Sequence, residues 1–156
     1  MKKNSLSFAV LISVLIFLLT HVSALDSSVT VTPPTGPIIG YLDPTGTNYE
    51  FRGIPYASAS RWEASQLLSP WSTPFNASTD GVGFPQVCAL PPHTCPEKTD
   101  EDAFFLNVYK PTTNTKDLKP VMVYFHGGNF YQGFGSGCTL YNGQKYVQLV
   151  MFILSL

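Results

Sequence analysis

The stretch Pro120-Val121-Met122-Val123-Tyr124-Phe125-His126-Gly127-Gly128-Asn129-Phe130 decides the reading of this chain. Five consecutive apolar residues, Val121 to Phe125, predict a strand buried on both faces. The run stops at His126-Gly127-Gly128, where small residues let the backbone turn sharply and approach another group closely. Main-chain amides released at such a turn can face a developing negative charge, which is the physical basis of an oxyanion hole. A plain glycine turn after a core strand uses the same residues, so the flanking sequence must separate the two readings.

Upstream, Phe104 to Tyr109 reads as the preceding strand and Pro111 to Lys119 as a polar connection. Earlier still, Val29 and Val31, then Ile38-Ile39, flank Pro33-Pro34-Thr35-Gly36, the pattern of two short strands around a turn. A second turn, Asp43-Pro44-Thr45-Gly46, leads into Tyr49 to Ile54. These three pieces predict a small antiparallel edge. Residues 55 to 96 are rich in Pro, Ser and Gly with no sustained period, so surface loop is expected, with a short turn of helix near Trp62 to Leu68.

At 156 residues the chain is long enough for one domain with a core, and no second boundary is visible. Lys2 and Lys3 precede an apolar run from Leu6 to Leu19, followed by Val22-Ser23-Ala24. That order predicts a secretory signal peptide, residues 1–24, cut after Ala24. The run is shorter than the ~20 residues of a membrane span, so none is expected in the mature chain. With a net charge of −1 and no basic patch, nucleic-acid binding is not supported. In a secretory compartment Cys88 and Cys95 can pair across a Pro-bent loop, which leaves Cys138 free or paired outside this chain. Asn76-Ala77-Ser78 is an N-glycosylation site if the chain is secreted.

Several stretches together resemble the type-B carboxylesterase family, which includes lipases, cholinesterases and inactive relatives. They are Phe51-Arg52-Gly53-Ile54-Pro55-Tyr56-Ala57, then Arg61-Trp62 and Trp71, then Glu101-Asp102-Ala103-Phe104-Phe105-Leu106-Asn107-Val108-Tyr109, and lastly His126-Gly127-Gly128-Asn129-Phe130. Four matches in order are far more specific than any one alone. The resemblance implies an α/β fold: the N-terminal part of an α/β-hydrolase fold, incomplete, with small antiparallel strands, a long loop and the first strands of the central mixed sheet. It spans residues 25–146, and 147–156 reads as an apolar tail apart from the family pattern. Such an ending leaves an open edge. It suggests a truncated gene model, a read-through or a short splice form.

The resemblance also implies roles. Arg61 and Glu101 take the places of the family's structural salt bridge. Phe84 and Ala103 stand where the family carries a disulfide, so both partners are absent together. Gly128 and Asn129 take the places of the two amide donors of the oxyanion hole, with Gly127 supplying the turn. No cofactor and no metal are implied, and the partner of the full-length relative is an ester substrate.

Hydrolysis in this family needs a serine on a Gly-x-Ser-x-Gly elbow, then an acid, then a histidine. No such elbow occurs in these 156 residues. Gly135-Ser136-Gly137 places its glycines beside the serine, with Phe134 and Cys138 where the motif needs them. His21, His93 and His126 all precede any candidate position. The expectation is therefore the first quarter of a secreted carboxylic-ester hydrolase, inactive alone. The alternative is a noncatalytic, cholinesterase-like secreted protein used for binding or adhesion. Because so little helix is available to cover the sheet, the isolated mature chain is expected to be marginally stable or to aggregate.

Overall fold

A computed structural model of the chain describes residues 27–91, 94–113, 118–136, 141–147 and 153–155. The signal segment, His93 and Cys138 lie outside the described residues.

The antiparallel edge forms where the turn chemistry requires it. β1 (Ser28–Val31) and β2 (Ile38–Leu42) pair antiparallel, Val31 opposite Ile38, around the Pro33 to Gly36 turn, which the Gly36 N–H closes onto the Pro33 carbonyl at 3.0 Å. At the second turn Asp43 accepts from the Thr45 hydroxyl at 2.8 Å and the Thr47 amide at 2.9 Å, an Asx turn that delivers β3 (Asn48–Pro55) back along β2. Burial pushes the Asp43 carboxyl up, but these hydrogen bonds outweigh it and hold the group below its ordinary value.

Beyond β3 the chain makes two short pieces, β4 (Ala57–Ser58) and β5 (Gln66–Leu67), which pair with each other. The helical turn expected near Trp62 to Leu68 does not form. Trp62 sits at φ 69° and is 90% exposed, and Leu67 is 84% exposed, so the apolar spacing there serves no buried face. β6 (Phe75–Asn76) then adds in parallel to β2, and β7 (Phe105–Pro111) runs antiparallel to β3. β8 (Met122–Tyr124), the short helix α1 (Gln144–Val147) and β9 (Ile153–Ser155) complete the described elements. The sheet order is β1-β2-β3-β7-β9-β8, with β9 antiparallel to β7 and parallel to β8. The stretch 147–156, set apart above as a tail, thus contributes a strand between two others, and Val147 is buried against Tyr109.

Ile38, Phe51, Ile54 and Ala77 form the main core, with Trp71, Phe75, Leu106 and Val108 packed around them. β3 buries Asn48, Glu50, Phe51 and Ile54, and a bulge falls between Phe51 and Ile54. Gly53 fills that bulge at φ 64°, and a Cβ there would lie 2.5 Å from the Thr79 carbonyl oxygen. Only glycine fits.

β8 departs from the expectation of burial on both faces. Val121 is 62% and Phe125 69% exposed, and Val123 and Tyr124 are also exposed. The position of the strand follows from its own residues, but its cover has to come from elements beyond those described. An apolar strand left open in this way is an aggregation edge. The expected outcome for the isolated mature chain is therefore a concentration-dependent loss of monomer in light scattering. A soluble monomer with a sharp, cooperative unfolding transition would contradict it.

Candidate active site

β8 leads straight into the loop on which the functional reading depends. Three consecutive residues take positive φ: Gly128 at 133°, Asn129 at 55° and Phe130 at 63°. Asparagine tolerates this region, whereas for a phenylalanine it is a real outlier. Each such non-glycine residue costs on the order of 1–3 kcal/mol. The Phe130 ring is fully exposed, so no packing against the described residues offsets its share.

The turn is closed by the Tyr131 and Gln132 amides, both donating to the Gly128 carbonyl at 3.2 Å. A Cβ on Gly128 would stand 1.7 Å from the Gln132 carbonyl oxygen, so this position admits no side chain. Gly127, expected to supply the turn, does not: its φ is not positive and nothing lies within 4 Å of a Cβ built there. The sharp reversal belongs to Gly128. Among the described residues no acceptor engages the amides of Gly128 or Asn129, and both residues line a groove of about 850 Å³ together with His126 and Gln86. His126 keeps its Nδ1 at 2.7 Å from the Gly127 carbonyl.

The loop rests on side chains from distant parts of the sequence. Gln86 brackets Gly133, accepting from its amide at 2.5 Å and donating Nε2 to its carbonyl at 2.9 Å. The Ala89 amide donates to Gln132 Oε1 at 2.9 Å. Asn107, 1% exposed, accepts from the Gly53 amide at 2.7 Å and donates to Ser136 Oγ at 2.9 Å. It therefore ties the β3 bulge to the segment that follows the loop. Ser136 also bonds Asp80, whose carboxyl burial pushes up while Arg52 and that hydroxyl pull it down; the net direction is up. Arg52 reaches Asp80 at 3.3 Å and the Ser78 carbonyl at 2.7 Å. Ser136, the serine nearest to an elbow pattern, is thus engaged in a structural network beneath the loop.

The remaining sequence-derived residues lie away from this groove. Arg61 Nη1 and Glu101 Oε1 are 3.5 Å apart with both side chains more than half exposed, so the pair contributes at most about 1 kcal/mol. Cys88 and Cys95 are joined, Cα to Cα 5.8 Å. Asn76 is exposed and its Oδ1 accepts from the Tyr41 hydroxyl and the Ser78 amide, each at 3.1 Å. Phe84 packs edge-on to Phe104, ring centroids 5.1 Å apart, beside Ala103. An aromatic contact therefore stands where the family motif would place its cross-link.

Gln86, Gln132 and Asn107 were not singled out as site residues from sequence. Asn107 lay inside a quoted motif, but nothing in its local pattern marks a contact with a residue 54 positions earlier. For Gln86, the only signal was its place after Pro85 in the stretch aligned with the family.

An open-edged sheet with a strained glycine loop at the end of an apolar strand is the N-terminal part of an α/β-hydrolase fold. The model of the Carboxylesterase family matches residues 27–153, and the chain belongs to that family. It is 33% identical over 143 residues to the cAMP-regulated D2 protein of Dictyostelium discoideum, covering 88% of this chain and 26% of that protein. To the para-nitrobenzyl esterase of Bacillus subtilis it is 37% identical over 103 residues, 62% of this chain and 21% of the relative. A solved thermophilic PNB esterase superimposes with a TM-score of 0.72 at 31% identity, over 81% of this chain and 27% of the enzyme. The chain spans about a quarter of the length of the relatives it matches.

Proposed function

We propose that this chain is the N-terminal part of a secreted serine carboxylesterase and supplies its oxyanion loop. The observation that carries this reading is the loop itself. Gly128 and Asn129, whose main-chain amides meet no acceptor among the described residues, line an open groove in a backbone conformation that costs stability, and the exposed Phe130 ring offsets none of that cost. Strain held at such a position is a mark of function. In the acyl-transfer step an ester carbonyl oxygen acquires negative charge as a serine adds to its carbon. Two preorganised N–H donors stabilise that charge without reorganising at the moment of reaction. The donors are main-chain groups, so asparagine in place of a smaller residue leaves the chemistry available, and its side chain narrows the acyl side of the groove.

The nucleophile, acid and histidine do not come from these 156 residues, and the chain alone turns over no ester. Family membership and the esterase relatives support the reaction class. Secretion is supported by the basic-then-apolar start of the sequence, and glycosylation by the exposed position of Asn76. The test is to label the native secreted product, captured through residues 30–60, with a fluorophosphonate that reacts only with an activated serine, and to measure its intact mass. A labelled species several times heavier than this chain is the expected result. An unlabelled product of residues 25–156 alone would overturn the reading in favour of a noncatalytic one.

A further inference from the structure

We infer that the Cys88–Cys95 loop is a clamp on the oxyanion loop, with Gln86 as its positioning residue. Its contacts flank the first cysteine. Two residues before Cys88, Gln86 brackets Gly133 with both ends of its carboxamide, Oε1 accepting from the amide at 2.5 Å and Nε2 donating to the carbonyl at 2.9 Å. One residue after Cys88, the Ala89 amide holds Gln132 Oε1 at 2.9 Å. Gln132 and Gly133 directly follow the strained residues, and the Gln132 amide and carbonyl are the groups that pack against Gly128. Fixing Gln132 and Gly133 therefore fixes where the Gly128 and Asn129 amides point.

A segment with positive φ at three successive residues does not hold that shape unaided, because each residue has a lower-energy alternative. Residues 84–91 carry no strand or helix of their own, so without a cross-link they would not present Gln86 and Ala89 at a fixed spacing. The disulfide closes this segment on itself, joining cysteines seven positions apart in sequence, and Thr94 tightens it by donating its amide to the Pro91 carbonyl at 3.1 Å. Phe84, at the start of the same segment, is anchored on Phe104 at the head of β7. The anchor joins the loop to the sheet, Gln86 and Ala89 join it to the site, and the cross-link holds those two at their spacing. This placement gives the local disulfide a role in the site itself, beyond restraining a surface loop. Its meaning for catalysis rests on the esterase reading, but the mechanical claim does not.

The test is hydrogen–deuterium exchange on the native secreted product, followed in peptides covering 126–136 and, as the folding control, 38–55 and 105–111. In Gln86→Leu, which loses both contacts, and in Cys88→Ala/Cys95→Ala, exchange across 128–134 rises about tenfold or more while the control peptides keep their protection. Gln86→Glu, which keeps an acceptor for the Gly133 amide, lies between Gln86→Leu and the native protein. Unchanged exchange in 128–134 for both main variants, with the sheet intact, overturns the clamp. So does a loss of protection in all peptides together, since that makes the disulfide a general stability element. Exchange does not depend on ester turnover: a product that is clamped but inactive leaves this inference standing and removes the esterase one.

Discussion

Gly128→Ala removes ester turnover from the native secreted product by a factor of about 100 or more, the cost typical of losing one oxyanion donor. The reason is geometric. A methyl group at this position meets the Gln132 carbonyl oxygen at 1.7 Å, and the φ of 133° is one that alanine rarely adopts. The turn must open, and the amides of Gly128 and Asn129 then leave the groove together. Gly128 lies outside the core formed by Ile38, Phe51, Ile54 and Ala77, so the substitution leaves the packing of that core unchanged. The loss should fall mainly on kcat, since the oxyanion contact strengthens in the transition state. A variant that keeps turnover within about threefold would show that this amide is not a donor.

The second large effect falls on stability. Asn107→Ala destabilises the native secreted product by about 3 kcal/mol, read from the midpoint of denaturant unfolding. The side chain is almost wholly buried and serves two groups that water does not reach easily, the Gly53 amide in the β3 bulge and the Ser136 hydroxyl. Removing it leaves a buried donor without a partner and opens a void between β3 and the segment after the oxyanion loop. Asn107→Asp keeps the acceptor for Gly53 but buries a charge and loses the donor to Ser136, so it is no rescue. A cost below about 0.5 kcal/mol for the alanine variant would mean that solvent or a neighbour satisfies Gly53 equally well.

Much of the framework could be read from local pattern. β1, β2, β3 and β7 are legible because alternating apolar residues are punctuated by turns whose chemistry is specific, Pro33 to Gly36 and Asp43 to Gly46. The sharp reversal after β8 is legible because an apolar run ending in two glycines marks a turn. Burial of β8 was misread because five apolar residues announce that a strand needs cover, and the described residues do not provide it. The helical turn expected around Trp62 does not form because Trp62 and Leu67 have no surface to pack on. The clamp could not be read at all. Gln86 and Gly133 are 47 positions apart, and a polar side chain in a loop without periodicity gives no hint of its partner.

The same distinction explains why the turn was assigned to the wrong glycine. In Gly127-Gly128 either residue permits a reversal, and sequence alone cannot choose between them. The structure chooses Gly128 because the Gln132 carbonyl closes over it. Gly127 faces open space, so Gly127→Ala is the natural control for the Gly128 experiment.

The most direct measurement is turnover of a simple para-nitrophenyl ester by two preparations side by side, the purified mature chain of residues 25–156 and the native secreted product. The expected result is none from the former, because without a nucleophile no tetrahedral oxyanion forms for the loop to stabilise, and hydrolysis by the latter that Gly128→Ala removes. Turnover by the 25–156 chain itself, lost in Gly128→Ala, would contradict the division of labour proposed here and place a nucleophile within these residues.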